Sequence, residues 1–168
     1  MSEAATIDMI EIPRAEPGKY MSFGLGEERF ALPILKVQEI ISPTKVTRVP
    51  KSPTFVKGVM NLRGKIVPII DLRERLGRDS RAYDERTCFV VVRSVCNNRE
   101  VSVGLVVDCV LGVTMLNDIQ HPNQIEEEFS SGAAGFISGI AIAEGAVNVL
   151  LDVDSMLFRI VEGYLKEA

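Results

Sequence analysis

The feature that most limits what this chain can fold into is an internal echo: GVMNLRGKIVPIIDLRERL at 58–76 aligns without a gap on GIAIAEGAVNVLLDVDSML at 139–157. Gly58, Gly64, Asp71 and Leu76 meet identical residues at Gly139, Gly145, Asp152 and Leu157, and most other positions pair apolar with apolar. Two related subdomains are implied, each containing a strand, a turn with Gly, a second strand ending in Asp, and a helical turn. The surrounding texture agrees. Val and Ile recur in short runs between Gly and Pro, and Trp is absent, so the chain is expected to be mainly β. KYMSFGL and RFALP flank Gly26-Glu27-Glu28, and CFVVVRSV and EVSVGLVV flank Asn97-Asn98, as two further hairpins.

Helices are expected to be few. Asp71 before LRERLG supplies a D-x-x-E start and a Gly stop for one short turn. Val153, Met156, Leu157, Ile160, Val161, Tyr164 and Leu165 form the apolar stripe of a longer C-terminal helix. Ser52-Pro53 reads as another helix start, with Ser as cap and Pro in the first turn. Residues 1–18 are polar and end in Pro17-Gly18, so they read as a flexible arm before a folded unit at 19–168. No basic start followed by an apolar run marks a secretory signal. Phe136–Leu151, interrupted by Glu144 and Asn148, falls short of the roughly 20 apolar residues of a membrane span. Cys88, Cys96 and Cys109 are odd in number and lack C-x-x-C spacing, which fits buried thiols in a reducing compartment and neither a disulfide framework nor a zinc site.

The net charge of −4 is uneven: residues 45–86 hold 11 Lys or Arg against 5 Asp or Glu. That basic segment is either a solvated face or a surface that meets a charged partner. Catalysis finds no cast. Asp71 and Asp152, matched in the repeat, could form a shared-proton dyad, but helix capping accounts for both. GVMNLRGKI has five residues between its glycines where a phosphate loop has four, and Ile66 where the hydroxyl residue belongs. GLGEER has Arg29 in place of the third Gly of a dinucleotide fingerprint. His121 is the only histidine and precedes Pro122, in what reads as an exposed loop. A nucleic-acid barrel would need stacking aromatics, yet Phe55 and Tyr83 are the only ones in the basic segment. Arg63 in N-L-R-G, at the expected tip of a hairpin, is either a solvated turn residue or an interface anchor.

ILKVQEI (34–40), VTRVPKSPTFVKGVMNLRGKIVPIIDLR (46–73) and VGLVVDCV (103–110) closely resemble the CheW family, the coupling proteins of bacterial chemotaxis, over about Tyr20 to Leu157. The resemblance implies two interleaved five-stranded barrels of SH3 type with short helices and a C-terminal helix, no catalysis and no cofactor. It implies a cytoplasmic adaptor, peripheral to membrane-bound receptor arrays, between chemoreceptor tips and the regulatory domain of the histidine kinase CheA, or the same role in a paralogous signalling system. Matched residue by residue, it places receptor contacts at Val37, Glu39, Arg63, Val110 and Val113, and kinase contacts at Ile40 and Val46. Core packing is the competing explanation for the valines and Ile40.

Overall fold

The computed structural model describes residues 15–96, 98–121 and 136–157. Eleven strands occur among them: β1 (Gly18–Leu25), β2 (Glu28–Pro33), β3 (Val37–Ile41), β4 (Val56–Leu62), β5 (Lys65–Asp71), β6 (Cys88–Cys96), β7 (Arg99–Val107), β8 (Cys109–Leu116), β9 (Ile119–Gln120), β10 (Ile137–Ala143) and β11 (Ala146–Leu151). A 3-10 turn, Ile34–Lys36, precedes β3; helix α1 (Leu72–Arg75) follows β5, and helix α2 occupies 153–157. One sheet runs β8-β1-β2-β11-β10-β9 and the other β3-β6-β7-β5-β4.

Each sheet curls back on itself in the same way. After β3, on one edge of its sheet, the chain returns to the far edge, where Thr47 and Val59 exchange backbone bonds of 2.8 and 2.9 Å. In the other sheet β8 lies on one edge and β9, two residues later, on the opposite edge. A segment that leaves one edge and reaches the other gives each sheet a barrel-like form and covers its open edges. The units are interleaved, because each hairpin β1-β2 or β6-β7 hands the chain to a strand of the other sheet.

The register reproduces the internal echo. β4-β5 carries a bulge between Val56 and Gly58, and β10-β11 carries one between Ile137 and Gly139, the positions 81 residues on. Asp71 N donates to Phe55 O at 2.7 Å and Asp152 N to Phe136 O at 2.7 Å, again the same offset. The equivalence reaches beyond the part visible as sequence similarity. β3 is bulged between Val37 and Glu39 against β6, and β8 is bulged at Ser22/Phe23 against β1. Superposing those registers matches Val37 with Val110, Glu39 with Gly112, and Ile40 with Val113.

A shared core lies between the sheets: Phe23, Leu25, Phe30 and Leu32 from one meet Ile70, Val90, Val92 and Leu105 from the other. Val91 and Phe89 alternate with Val90 and Val92 and fill the interior of their own sheet, which explains why β6 reads as an unbroken apolar run. At the junction the Arg75 guanidinium stacks on both Phe55 and Phe136, at 5.2 and 4.6 Å from the ring centroids. These rings are themselves a repeat-related pair. Each crossover is tied to a helix by an ion pair of opposite sense, Arg73 with Asp108 and Asp154 with Lys36.

Asp71 caps α1, accepting from Arg73 N at 3.0 Å, and Gly77 at φ 81° ends it. Asp152 accepts from Ser155 N at 3.2 Å. Val153, Met156 and Leu157 are buried as the stripe requires; its remaining members lie outside the described residues. The helix start at Ser52-Pro53 does not form. Ser52 turns its hydroxyl back to Val49 O at 2.7 Å, and Val56 N bonds Pro53 O at 3.0 Å in a single turn before β4 begins. Pro53 in the first turn serves a tight turn as well as a helix, and the strand cuts the segment short. The expected arm falls mostly within 1–14, outside the described residues, while Ala15 N already bonds Ser138 O at 3.2 Å. Among the described residues no helix is long and apolar enough to cross a membrane.

Candidate functional site

Arg63 and Gly64 form the two-residue turn joining β4 to β5, with φ 49° and 85°. A type I′ hairpin turn requires positive φ at both central positions, and Asn61 Oδ1 braces it by accepting from Gly64 N at 2.8 Å. The turn therefore projects Arg63 from a rigid base. Its guanidinium reaches over β3, where Nη2 donates to Glu39 Oε2 at 2.5 Å. The Arg63 side chain remains 69% exposed, against 24% for Glu39. Two residues that the resemblance put in one site thus touch, although 24 positions separate them.

The remaining expected contacts divide. Val37 and Val110 are partly buried and pack against the shared core. Val113, further along β8, is exposed. Ile40 is 44% exposed. Val46 lies where the chain returns toward β4 and is packed with Ile41 on the interior of that sheet. Core packing therefore accounts for much of Val37, Val46 and Val110, and for little of Ile40 and Val113.

Sequence reasoning passed over two surroundings of Val113. Met115, Ile142 and Val147 are exposed apolar residues of the same sheet; Ile142 and Val147 are cross-strand partners, and their signal was the apolar excess of the second repeat copy. At the mouth of this sheet Arg29, Val113, Thr114, Glu144 and Asn148 line a cavity of about 80 Å³. Its floor is polar, with Ser22 Oγ donating to Asn148 Oδ1 at 3.2 Å.

The chemical alternatives gain nothing from the geometry. Asp71 is held by Arg73 N and by Ser80 Oγ at 2.9 Å, and Asp152 by Ser155, so each carboxylate is occupied at its own helix end. Burial, offset only in part by the Ser80 bond, pushes the Asp71 carboxyl up. Cys88 and Cys109 are partly buried free thiols, and burial raises Cys88. His121 is partly buried where an exposed position was expected. Among the described residues no group of three or more side chains could hold a metal ion.

Comparison with known proteins accords with this architecture. The CheW-like domain model matches residues 19–160. The chemotaxis protein CheW of Klebsiella aerogenes is 37% identical over 139 residues, 83% of this chain and 81% of that one. CheW of Thermotoga maritima is 30% identical over 141 residues, covering 83% and 87%. Among solved structures, the scaffolding protein CheW of Thermoanaerobacter tengcongensis superposes with a TM-score of 0.72 at 29% identity, over 83% of this chain and 92% of that one. With its repeat, its sheets and its hairpin arginine in that setting, the chain belongs to the CheW family, whose members are scaffold proteins of chemotaxis and not enzymes.

Proposed function

We propose that this chain couples the cytoplasmic tips of chemoreceptors to the regulatory domain of the histidine kinase CheA, as a cytoplasmic adaptor beside receptor arrays. The observation that carries the reading is Arg63: an exposed guanidinium on a braced turn, oriented over β3. Such a group offers bidentate donors to a carboxylate or carbonyl. Val37, Val110 and Val113 supply apolar contact for a receptor helix, and Glu39 lies beneath the Arg63 guanidinium. Ile40 and Val46 form the kinase side. Adjacent residues of β3, Glu39 and Ile40, are thereby assigned to different partners, in keeping with the alternation of side chains across a strand.

Titration of the purified chain with a receptor cytoplasmic fragment and with the CheA regulatory domain tests this. Arg63→Ala is expected to lose about 2 kcal/mol, roughly 30-fold, toward the receptor fragment while kinase binding holds. Ile40→Asp is expected to do the reverse, costing at least about tenfold toward the kinase domain by placing a charge in an apolar contact. Equal losses toward both partners from either variant would contradict a two-sided coupler.

A further inference from the structure

The fold divides the cations of the basic segment 45–86 into neutralised and unneutralised ones. Arg73, Arg78 and Arg81 are ion-paired with Asp108, Glu28 and Asp84, and Lys57 with Glu74. Lys45, Arg48 and Lys51, on the loop 42–55 that carries the chain from β3 to β4, are exposed and make no ion pair among the described residues. Their stretch of sequence offers no acid either: residues 40–70 hold six Lys or Arg and no Asp or Glu. The loop backbone is pinned, by the paired bonds between Thr47 and Val59 and by Ser52 Oγ donating to Val49 O, so the three charges sit at fixed places along it. Lys51 has φ 62°, where Gly or Asn would cost less. The turn itself does not ask for a lysine.

Val46, the neighbour of Lys45, packs with Ile41, the neighbour of Ile40. The unneutralised cations therefore rim the surface assigned above to the kinase. Charge of one sign left uncompensated repels itself in the folded state, and it attracts an opposite charge over roughly a Debye length, about 8 Å at physiological salt. A lipid surface would call for apolar side chains beside the charges, yet none of the large exposed apolar residues lies within 42–55. We infer that the loop 42–55 steers an acidic surface of the kinase regulatory domain onto Ile40 and Val46. Lys45, Arg48 and Lys51 speed the encounter from the rim and add little to the bound complex, as rim charges do. The inference rests on the reading of Ile40 and Val46 as the kinase side.

Association and dissociation rates with the CheA regulatory domain, measured on the full chain across ionic strength, test this. Three proteins are compared: the parent, a triple variant combining Lys45→Gln, Arg48→Gln and Lys51→Gln, and a control combining Lys19→Gln and Arg99→Gln, exposed cations of β1 and β7. The triple variant is expected to associate about tenfold more slowly at low salt, to dissociate at the parent rate, and to show a shallower salt dependence of association. Its affinity for the receptor fragment is expected to match the parent's, and the control is expected to associate nearly as fast as the parent. A triple variant with the parent's association rate overturns the inference and leaves the kinase reading standing. A loss carried by dissociation makes the cations direct contacts, and an equal loss in the control assigns the effect to net charge; either overturns the inference. So does unchanged kinase association in a triple variant that no longer sediments with phosphatidylglycerol vesicles the parent binds, which gives the loop to a lipid surface. Ile40→Asp with parent affinity for the kinase domain removes the surface to be reached, and the kinase reading and this inference then fall together.

Discussion

Alanine at Gly58 is expected to lower the unfolding free energy by about 4 kcal/mol, most of the margin of a typical domain. The backbone there has φ +140°, a region essentially confined to glycine. A Cβ would stand 2.1 Å from the Thr47 carbonyl oxygen, 2.7 Å from its carbon and 2.9 Å from Val46 Cγ1. Backbone strain of about 1–3 kcal/mol adds to an overpacking cost of similar size, because the obstacle is a carbonyl fixed by the paired bonds between Thr47 and Val59 and not the end of a flexible side chain. Gly64→Ala is the matched control. It too has positive φ, 85°, but nothing lies within 4 Å of its Cβ, so its loss is expected to stay near 1–2 kcal/mol. Urea midpoints of the two variants measure the difference. A Gly58→Ala protein as stable as Gly64→Ala would mean that the segment around Thr47 does not close this sheet. The substitution also displaces Val46, so any folded fraction should bind the kinase domain less well.

The gapless echo was legible because β4-β5 and β10-β11 share turn, bulge and capping requirements, and these demand particular residues: Gly in the turns, Asp at the helix ends. The other half of the repeat was hidden. β3 and β8 obey only a burial requirement, which Val, Ile and Cys satisfy equally, so the match of Val37 with Val110 emerges from register alone. Sequence also located both outer hairpins to within a residue. The loop at Gly26 proved to be two residues, with Glu28 opening β2.

At the site, N-L-R-G announced a turn with an outward arginine, and that is what forms. Its tie to Glu39 was not legible in spacing, because it depends on the β4-β5 hairpin lying across an edge strand of the same sheet. Nor could the face taken by Ile40 be counted from alternation, since its register partner Val90 puts it on the same side as Val37. The bulge at Gln38 shifts the phase between Val37 and Glu39, and one extra residue in a strand exchanges the faces of everything beyond it. The family resemblance named these positions; the bulge explains why counting alone would misplace them.

Asp108 is the residue whose loss should loosen one half of the molecule from the other. It sits at the crossover between β7 and β8 and accepts from Arg73 Nε at 2.8 Å and Nη2 at 2.5 Å, from Gly26 N at 2.7 Å, and from Arg81 Nη1 at 3.1 Å. The Asp108 and Arg73 side chains are only 12% and 17% exposed, so Asp108→Ala strands a largely desolvated guanidinium and is expected to cost about 3 kcal/mol at pH 7. Burial alone would raise this carboxyl, but the bonds from Arg73 and Gly26 outweigh it and hold it below the ordinary carboxylate range. With its folded value below its unfolded one, its contribution is complete above the ordinary Asp value near 3.9 and is lost as pH falls through the lower folded value. Asp71, raised by burial, has the opposite sign: it detracts from stability above its folded value, and that penalty fades on acidification. The gap between parent and Asp108→Ala in urea midpoint should therefore be widest at neutral pH and shrink toward pH 3, while the parent first holds or gains slightly as Asp71 protonates. A gap independent of pH would show that the carboxylate charge is not what binds the crossover. Val110 lies two residues beyond Asp108, so a crossover freed from Arg73 should also weaken receptor binding at neutral pH before the fold is lost.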